Sequence, residues 1–313
     1  MDIVYVWPFK FFSQSWTELC IHPLEKYIAR RYLRKSSEQF LATHPQIACY
    51  AYDLISQDVF LDGLFEHEYL QTLAQKVFPF CKSLGVCLDV GANIGNHSIF
   101  FSKYFSEVHA FEPNPKALRL LTLNGSDHRN IYIHPFGLSD SHAELSIFEI
   151  EGNLGASRLH NSSVGESLKG EVYSLDSRSL FQPDCRVDFI KIDVEGHELP
   201  VVLGASDLIK RDGPIIVIEV LNKLDFKPQP DVISALRGLG YDNFYEFVPQ
   251  GMLANFSRPI WKLVKVAFGL FLGRWINLQA DLKPVHNFAK RNYPMIVCSS
   301  FPVGRRSQAV LTT

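Results

Sequence analysis

The sequence lacks any C-x-x-C pair. Its six cysteines, Cys20, Cys49, Cys81, Cys87, Cys185 and Cys298, follow no regular spacing, which argues against a disulfide frame or a zinc site and predicts reduced thiols in a cytoplasmic protein. A charge excess is also missing: 31 basic residues stand against 33 acidic ones, for a formal charge of -2. No overall field therefore draws the chain to nucleic acid, which disfavours nucleic-acid binding as its main task. No apolar run reaches the roughly 18 to 20 uncharged residues of a membrane span. The opening MDIVYVWPFKFFSQSW has neither a basic start nor a small-residue cleavage site and does not read as a secretion signal. Internal repeats, low-complexity tracts and charge blocks are absent as well. What is present is apolar: of 313 residues 47% are hydrophobic, 13% aromatic and only 20% charged, against a globular norm of about 25% charged. Such a chain buries a sizeable core, and disorder over most of its length is excluded.

Boundaries come from changes of hydrophobic period. Residues 1–82 read as a helical N-terminal region, with an amphipathic helix over Leu24 to Tyr32 and another from Glu66 to Phe78 that ends at Pro79. From residue 83 onwards, short Val- and Ile-rich runs alternate with helical stretches. The runs are Val86 to Val90, Glu107 to Phe111, Ile131 to His134, Asp188 to Ile192 and Pro214 to Val220, and they suit central strands of a parallel sheet covered on both faces. The pattern predicts a doubly wound α/β domain over 83–313. Residues 143–150, AELSIFEI, alternate and predict an added edge strand after the third parallel strand. Asp242 to Val248 and Met295 to Ser299 read as late strands separated by an insertion at about 249–293 with its own helical pattern.

The most informative stretch is Cys87 to Ser98, CLDVGANIGNHS: a buried strand, an acid, a glycine turn and a helix start. Gly91 and Gly95 permit a tight turn and close approach of a ligand, while amides at the helix start offer donors to a polar or anionic group. Twenty-one residues after Gly91 the second strand ends in Glu112, within FEPNP; an acid at that spacing holds a ribose diol with its two oxygens in nucleotide-binding βαβ units. A dinucleotide site uses G-x-G-x-x-G, whereas here the positions are Gly91, Asn93 and Asn96. Asparagine at two of the three makes close pyrophosphate approach less natural, and a smaller adenosine ligand fits better.

DVGANIG, EPNP and FIKIDVEGHE (Phe189 to Glu198), together with the flanking DGLFEHE, GLSD, NLGASRL and YSLDS in order, resemble the FkbM-type S-adenosylmethionine-dependent methyltransferases, a branch of the class I methyltransferases. The likeness runs from about Tyr52 to Val220. It implies a Rossmann-like seven-stranded sheet of order 3-2-1-4-5-7-6, with the seventh strand antiparallel and helices on both faces, and methyl transfer from S-adenosylmethionine (SAM) to a hydroxyl of a sugar, glycan or other natural product. It implies that Asp89, Gly91, Asn93 and Gly95 contact the methionine part of the cofactor, Glu112 the ribose, Asn114 the neighbourhood of the adenosine, and Gly137 to Asp140, with Ser139, the adenine side. Asn96 completes the cofactor-binding candidates.

Transfer of a methyl group to an alcohol needs alignment of oxygen, methyl and sulfur and an acceptor for a proton of low acidity. Asp193, Glu195, His197 and Glu198 follow the fourth strand, at the end where open α/β sheets place their ligands. Asp193, Glu195 and His197 are the candidate proton acceptors. The alternative is that Asp193 caps the turn and Glu198 supports the next helix electrostatically. His97 reads equally as a cofactor-proximal group or a partly buried helix residue. Asp193, Glu219 and Asn222 also fall where related catechol-type methyltransferases hold magnesium; the resemblance carries no metal over, and Mg²⁺ is not the favoured reading.

Within the insertion, Ile260 to Asn277 places Ile260, Val264, Phe268, Phe271 and Trp275 on one helical face opposite Lys262 and Lys265. This pattern fits a peripheral membrane contact at the cytoplasmic face, a substrate lid, a homodimer interface or a helix packed on its own domain. An NAD-dependent oxidoreductase shares the turn and the strand-end acid, but the third glycine is missing and the acid cluster argues against it. A non-catalytic SAM-binding scaffold is the other alternative.

Overall fold

The computed structural model describes residues 17–51, 53–150, 153–160, 168–177, 180–181, 185–220, 231–250, 280–289 and 291–303. Three helices come first, α1 (Thr17–Phe40), α2 (Leu54–Asp62) and α3 (His67–Lys76), followed by a single 3₁₀ turn at Phe78–Phe80. Asp53 begins α2 by accepting a hydrogen bond from the Ile55 amide at 3.0 Å, and left-handed Gly63 ends it. The α/β part then runs β1 (Val86–Val90), α4 (Asn96–Phe101), β2 (Glu107–Phe111), α5 (Pro115–Gly125) and β3 (Ile131–His134). Four more strands follow, β4 (Gly137–Leu138), β5 (Ala143–Ile150), β6 (Asn153–His160) and β7 (Leu168–Tyr173). The chain returns through β8 (Val187–Ile192), α6 (Glu198–Gly204), α7 (Ser206–Asp212), β9 (Ile215–Val220) and α8 (Asp231–Gly238) to β10 (Asn243–Pro249), β11 (Ala280–Pro284) and β12 (Tyr293–Ser299).

The main sheet has the order β11-β10-β12-β9-β8-β1-β2-β3. β3, β2, β1, β8 and β9 pair in parallel. β12 runs antiparallel to both β9 and β10. Reading β8, β9, β10 and β12 as strands four to seven reproduces the 3-2-1-4-5-7-6 order with an antiparallel seventh strand. The sheet nonetheless has eight strands, not seven, because β11 pairs antiparallel to the outer edge of β10. β11 lies inside the 249–293 insertion, so that segment is not wholly helical. The helix expected over Ile260 to Asn277 lies outside the described residues.

A second correction concerns AELSIFEI. It does not extend the edge at β3 but becomes β5 of a separate four-stranded sheet, β4-β7-β5-β6, antiparallel to both β6 and β7. Its alternation explains this. A strand with one apolar face suits a sheet solvated on its other side, so Leu145 and Ile147 are buried while Glu144 is exposed.

All residues of β1 and β8 are buried, as their near-continuous apolar runs require. One core layer joins the helical region to the sheet: Leu64, Leu70, Leu73, Val77 and Phe78 pack with Phe101, Phe105, Val108 and Phe189. Phe78 meets Phe101, Phe105 and Phe189 edge-on with ring centroids 5.0 to 6.0 Å apart, the arrangement aromatic quadrupoles favour. The segment from Leu64 to the 3₁₀ turn thus shares the core of the sheet. Among the described residues no helix is long and apolar enough to cross a membrane.

Truncating Phe78 would leave a cavity where four aromatic rings converge. Phe78→Ala is expected to lower unfolding free energy by about 3 to 5 kcal/mol, as large-to-small changes in a packed core do, read from urea midpoints at unchanged slope. A loss below about 1 kcal/mol would mean that the helical region is not built into the core.

Candidate functional site

At the carboxyl ends of β1, β2, β8 and β9 lies a cavity of about 270 Å³. Its walls include Gly91 to Ile94, Asn96 and His97 after β1, Glu112 to Asn114 after β2, and Lys191 with Asp193 to Glu195 at the end of β8. Ala117 of α5, Ile147 of β5, Glu219 of β9, Pro294, and Leu54, Ile55, Phe65 and Glu66 from the helical region complete it.

The glycine turn is shaped by its neighbours. A Cβ on Gly91 (φ 76°) would lie 1.9 Å from the Asp193 carbonyl oxygen, so the glycine is required by the packing of two strand ends rather than by a ligand. Three turn amides are already taken. Gly91 and Ala92 N–H both donate to the Phe111 carbonyl at 3.0 Å, and Asn93 N–H donates to Glu112 Oε2 at 2.8 Å. What the turn presents to the cavity includes the Asn93 side chain, whose buried Oδ1 has no partner among the described residues.

Glu112 is buried, and its second oxygen accepts from the Asn114 amide at 2.7 Å. Burial pushes its pKa up to about 7, the two amide hydrogen bonds and Lys191 opposing. The carboxyl group therefore joins the glycine turn to the start of α5, which Asn114 caps by accepting from the Lys116 amide. Asn96 holds the opposite wall with its side-chain amide, which donates to the Phe65 carbonyl and accepts from the Phe65 N–H, both at 3.0 Å.

The far end is acidic. Glu66, Asp193, Glu195 and Glu219 all line the cavity. Burial first, and then Asp193, Glu195, Glu198 and Glu66, push Glu219 up to about 9, and its Oε2 is buried without a partner among the described residues. His97 Nε2 lies 3.3 Å from Glu66 Oε2. Lys191 brings the opposite charge: its Nζ donates to the Gly91 carbonyl at 2.9 Å and lies 3.3 Å from Asp89 and 3.4 Å from Asp193. Burial opposes its charge, but Asp89, Asp193 and Glu66 outweigh that and hold it above the usual lysine range.

Of the residues singled out in the sequence, Gly91, Asn93, Asn96, His97, Glu112, Asn114, Asp193, Glu195 and Glu219 meet at this cavity. Asp89, Gly95, Ser139, Asp140 and His197 do not line it. Asp89 lies fully buried beneath the turn, where it accepts from Ser98 Oγ at 2.6 Å. Gly95 caps α4. His197 Nε2 is 2.9 Å from Ser139 Oγ, and that loop is pressed against α6, since a Cβ on Gly204 would lie 1.8 Å from the Ser139 carbonyl. Asp140 is exposed beside them. Burial lowers the pKa of His197. Glu198 folds back onto its own turn and accepts from Gly196 N–H at 2.7 Å, the supporting role its sequence position also allowed. Among the described residues no group of three or more His, Cys, Asp or Glu side chains is arranged to hold a metal ion; Asn222 lies outside them.

Two cavity residues carry little sequence signal. Glu66 lies within the DGLFEHE stretch and before α3, but the sequence assigns it no role at the site. Lys191 is legible only as a charge inside the apolar run FIKI, where a buried strand must pair it.

Residues 89–242 match the family model described as "Methyltransferase FkbM domain". The hexuronic acid methyltransferase AglP of Haloferax volcanii is 32% identical over 151 residues, covering 48% of this chain and 61% of that protein. The match thus spans about three-fifths of the relative's length. Among solved structures, a methyltransferase FkbM from Methylobacillus flagellatus KT is 19% identical, with 58% of this chain and 48% of that chain covered and a TM-score of 0.34. An rRNA methylase from Streptococcus thermophilus is 13% identical, with 75% and 96% covered and a TM-score of 0.36. Through residues 89–242 the chain belongs to the FkbM methyltransferase family.

Proposed function

We propose that this protein is a SAM-dependent O-methyltransferase acting on a hydroxyl of a sugar or sugar acid. One observation carries the reading. Among the described residues the only non-glycine residues with positive φ are Glu66 (56°), Asn93 (51°) and Glu195 (52°), and all three line the same cavity as Glu112. Such backbone conformations are costly and concentrate at functional sites, where the surrounding structure enforces them. The family supports methyl transfer, and the relative acting on hexuronic acid supports a sugar acceptor.

The residues present fit the cofactor. Glu112 offers carboxylate oxygens to a diol, and the unpartnered Asn93 Oδ1 and Glu219 Oε2 are buried acceptors. The acidic end suits a cationic sulfonium and ammonium group. When bound, SAM supplies an activated methyl group to an oxygen in line with its sulfur. Glu112 and Asn93 fix the adenosine side. Asp193 is engaged by Lys191 at 3.4 Å. Glu195 is the proton acceptor for the acceptor hydroxyl. The helical region, through Phe65 and Glu66, covers the site and excludes water.

Labelled SAM should transfer methyl to members of an acceptor panel of hexuronic acids and neutral hexoses. Glu195→Gln should lower that turnover by about 10² to 10⁴-fold while SAM binding persists; near-normal turnover would remove Glu195 from the role. Absence of transfer to any hydroxylated acceptor, with SAM bound, would leave a cofactor-binding scaffold instead.

Glu112→Ala should stay folded and weaken SAM binding by about 1.5 to 3 kcal/mol, the contribution of a hydrogen bond to a charged group. Unchanged affinity in calorimetry would remove the ribose assignment.

The stability of the free protein should also depend on pH. Glu112 and Glu219 have folded pKa values raised above the unfolded value of 4.5. Their contribution to stability is fully present below that value and is lost as pH rises through about 7 and then about 9. The melting temperature of the free protein should fall between pH 5 and pH 9, and Glu219→Gln should flatten the upper part of that fall. Added SAM, whose positive charge favours the ionised acids, should raise the melting temperature more at pH 8 than at pH 6. A flat profile in all three cases would contradict the account of the acidic end.

A further inference from the structure

Lys191 is unusual for its position. It belongs to the centre of a parallel sheet, its side chain is 3% exposed, and it reaches three groups at the ends of two neighbouring strands. Its Nζ donates to the Gly91 carbonyl of the glycine turn, at 2.9 Å. It faces Asp89 Oδ1 at the end of β1 at 3.3 Å and Asp193 Oδ2 after β8 at 3.4 Å. Asp89 is anchored in turn by Ser98 Oγ of α4. A buried ammonium with two carboxylates and a carbonyl around it is well compensated, whereas removing one member leaves an unpaired buried charge.

Neutralising Asp89 accounts for only one of these contacts. The other two hold the groups that border the cavity: the carbonyl of the turn, fixed so that the Asn93 side chain stays at the cavity wall, and the Asp193 carboxylate, fixed beside Glu195. We infer that Lys191 is a positioning residue that locks the glycine turn and Asp193 into the geometry that receives SAM. The inference rests on the reading of the cavity as a SAM site. It does not require Lys191 to touch the reacting atoms.

The test separates positioning from charge balance. Lys191→Met alone strands Asp89 and should lower stability. Pairing it with Asp89→Asn removes the stranded charge, so K191M/D89N should regain much of the lost melting temperature. If Lys191 positions the site, SAM affinity in the folded double variant stays about 10- to 150-fold below wild type. If it serves charge balance only, affinity returns together with stability, and the inference is overturned. A second measurement needs no ligand. In K191M/D89N, amide hydrogen exchange at Gly91, Ala92 and Asn93 should quicken by about tenfold, the equivalent of one ordinary hydrogen bond lost from the turn; unchanged exchange overturns the inference. Failure of wild-type protein to bind SAM would remove the functional reading while leaving the exchange result to decide the role of Lys191.

Discussion

The site depends on one close approach, that of Gly91 to the Asp193 carbonyl. The ends of β1 and β8 converge until no side chain fits between them, the Cβ position of Gly91 lying 1.9 Å from that oxygen. This contact makes the chain after β1 turn sharply, with Gly91, Asn93 and Gly95 all at positive φ. The Asn93 amide then meets Glu112 from the next strand, and Asp193 comes within reach of Lys191. Glycine is thus dictated by the convergence of two strands, and the cavity forms beside that convergence.

Charge follows from the same geometry. Bringing Glu66, Asp193, Glu195 and Glu219 to one cavity holds several carboxyl groups in a space of limited hydration, so Glu219 is driven far above the ordinary carboxylate range. A cationic ligand relieves that repulsion, whereas a dinucleotide pyrophosphate would add to it. The acidic end therefore favours SAM over NAD on electrostatic grounds, independently of the missing third glycine.

Much of this was legible in sequence because central parallel strands leave a plain record. Val86–Val90, Glu107–Phe111 and Ile131–His134 are read with their observed limits, since both faces are buried and turn residues bound each run. Glu112 is legible by its spacing from Gly91. AELSIFEI was legible as a strand but not as a member of a second sheet, because alternation records how many faces are covered and not which neighbour covers them. β11 was not legible either: ADLKP has little strand character, and its place comes from pairing with the edge of β10. Glu66 enters the site through the packing of Leu64, Leu70 and Leu73 against the sheet, a tertiary fact that its place in DGLFEHE does not by itself disclose. Asp89, at the end of β1, is the converse case: its position resembles that of a ligand-binding acid, yet burial turns it towards Ser98 and Lys191.

The central claim is that the three strained residues and Glu112 surround a SAM site. A crystal structure of the protein with S-adenosylhomocysteine, the demethylated cofactor, tests it most directly. The account predicts the ribose at Glu112, the adenosine beside Asn93 and Asn114, and the amino-acid end towards Asp193 and Glu195. Density for the ligand elsewhere on the molecule, or a cavity that stays empty at saturating ligand while the protein is folded, would contradict it.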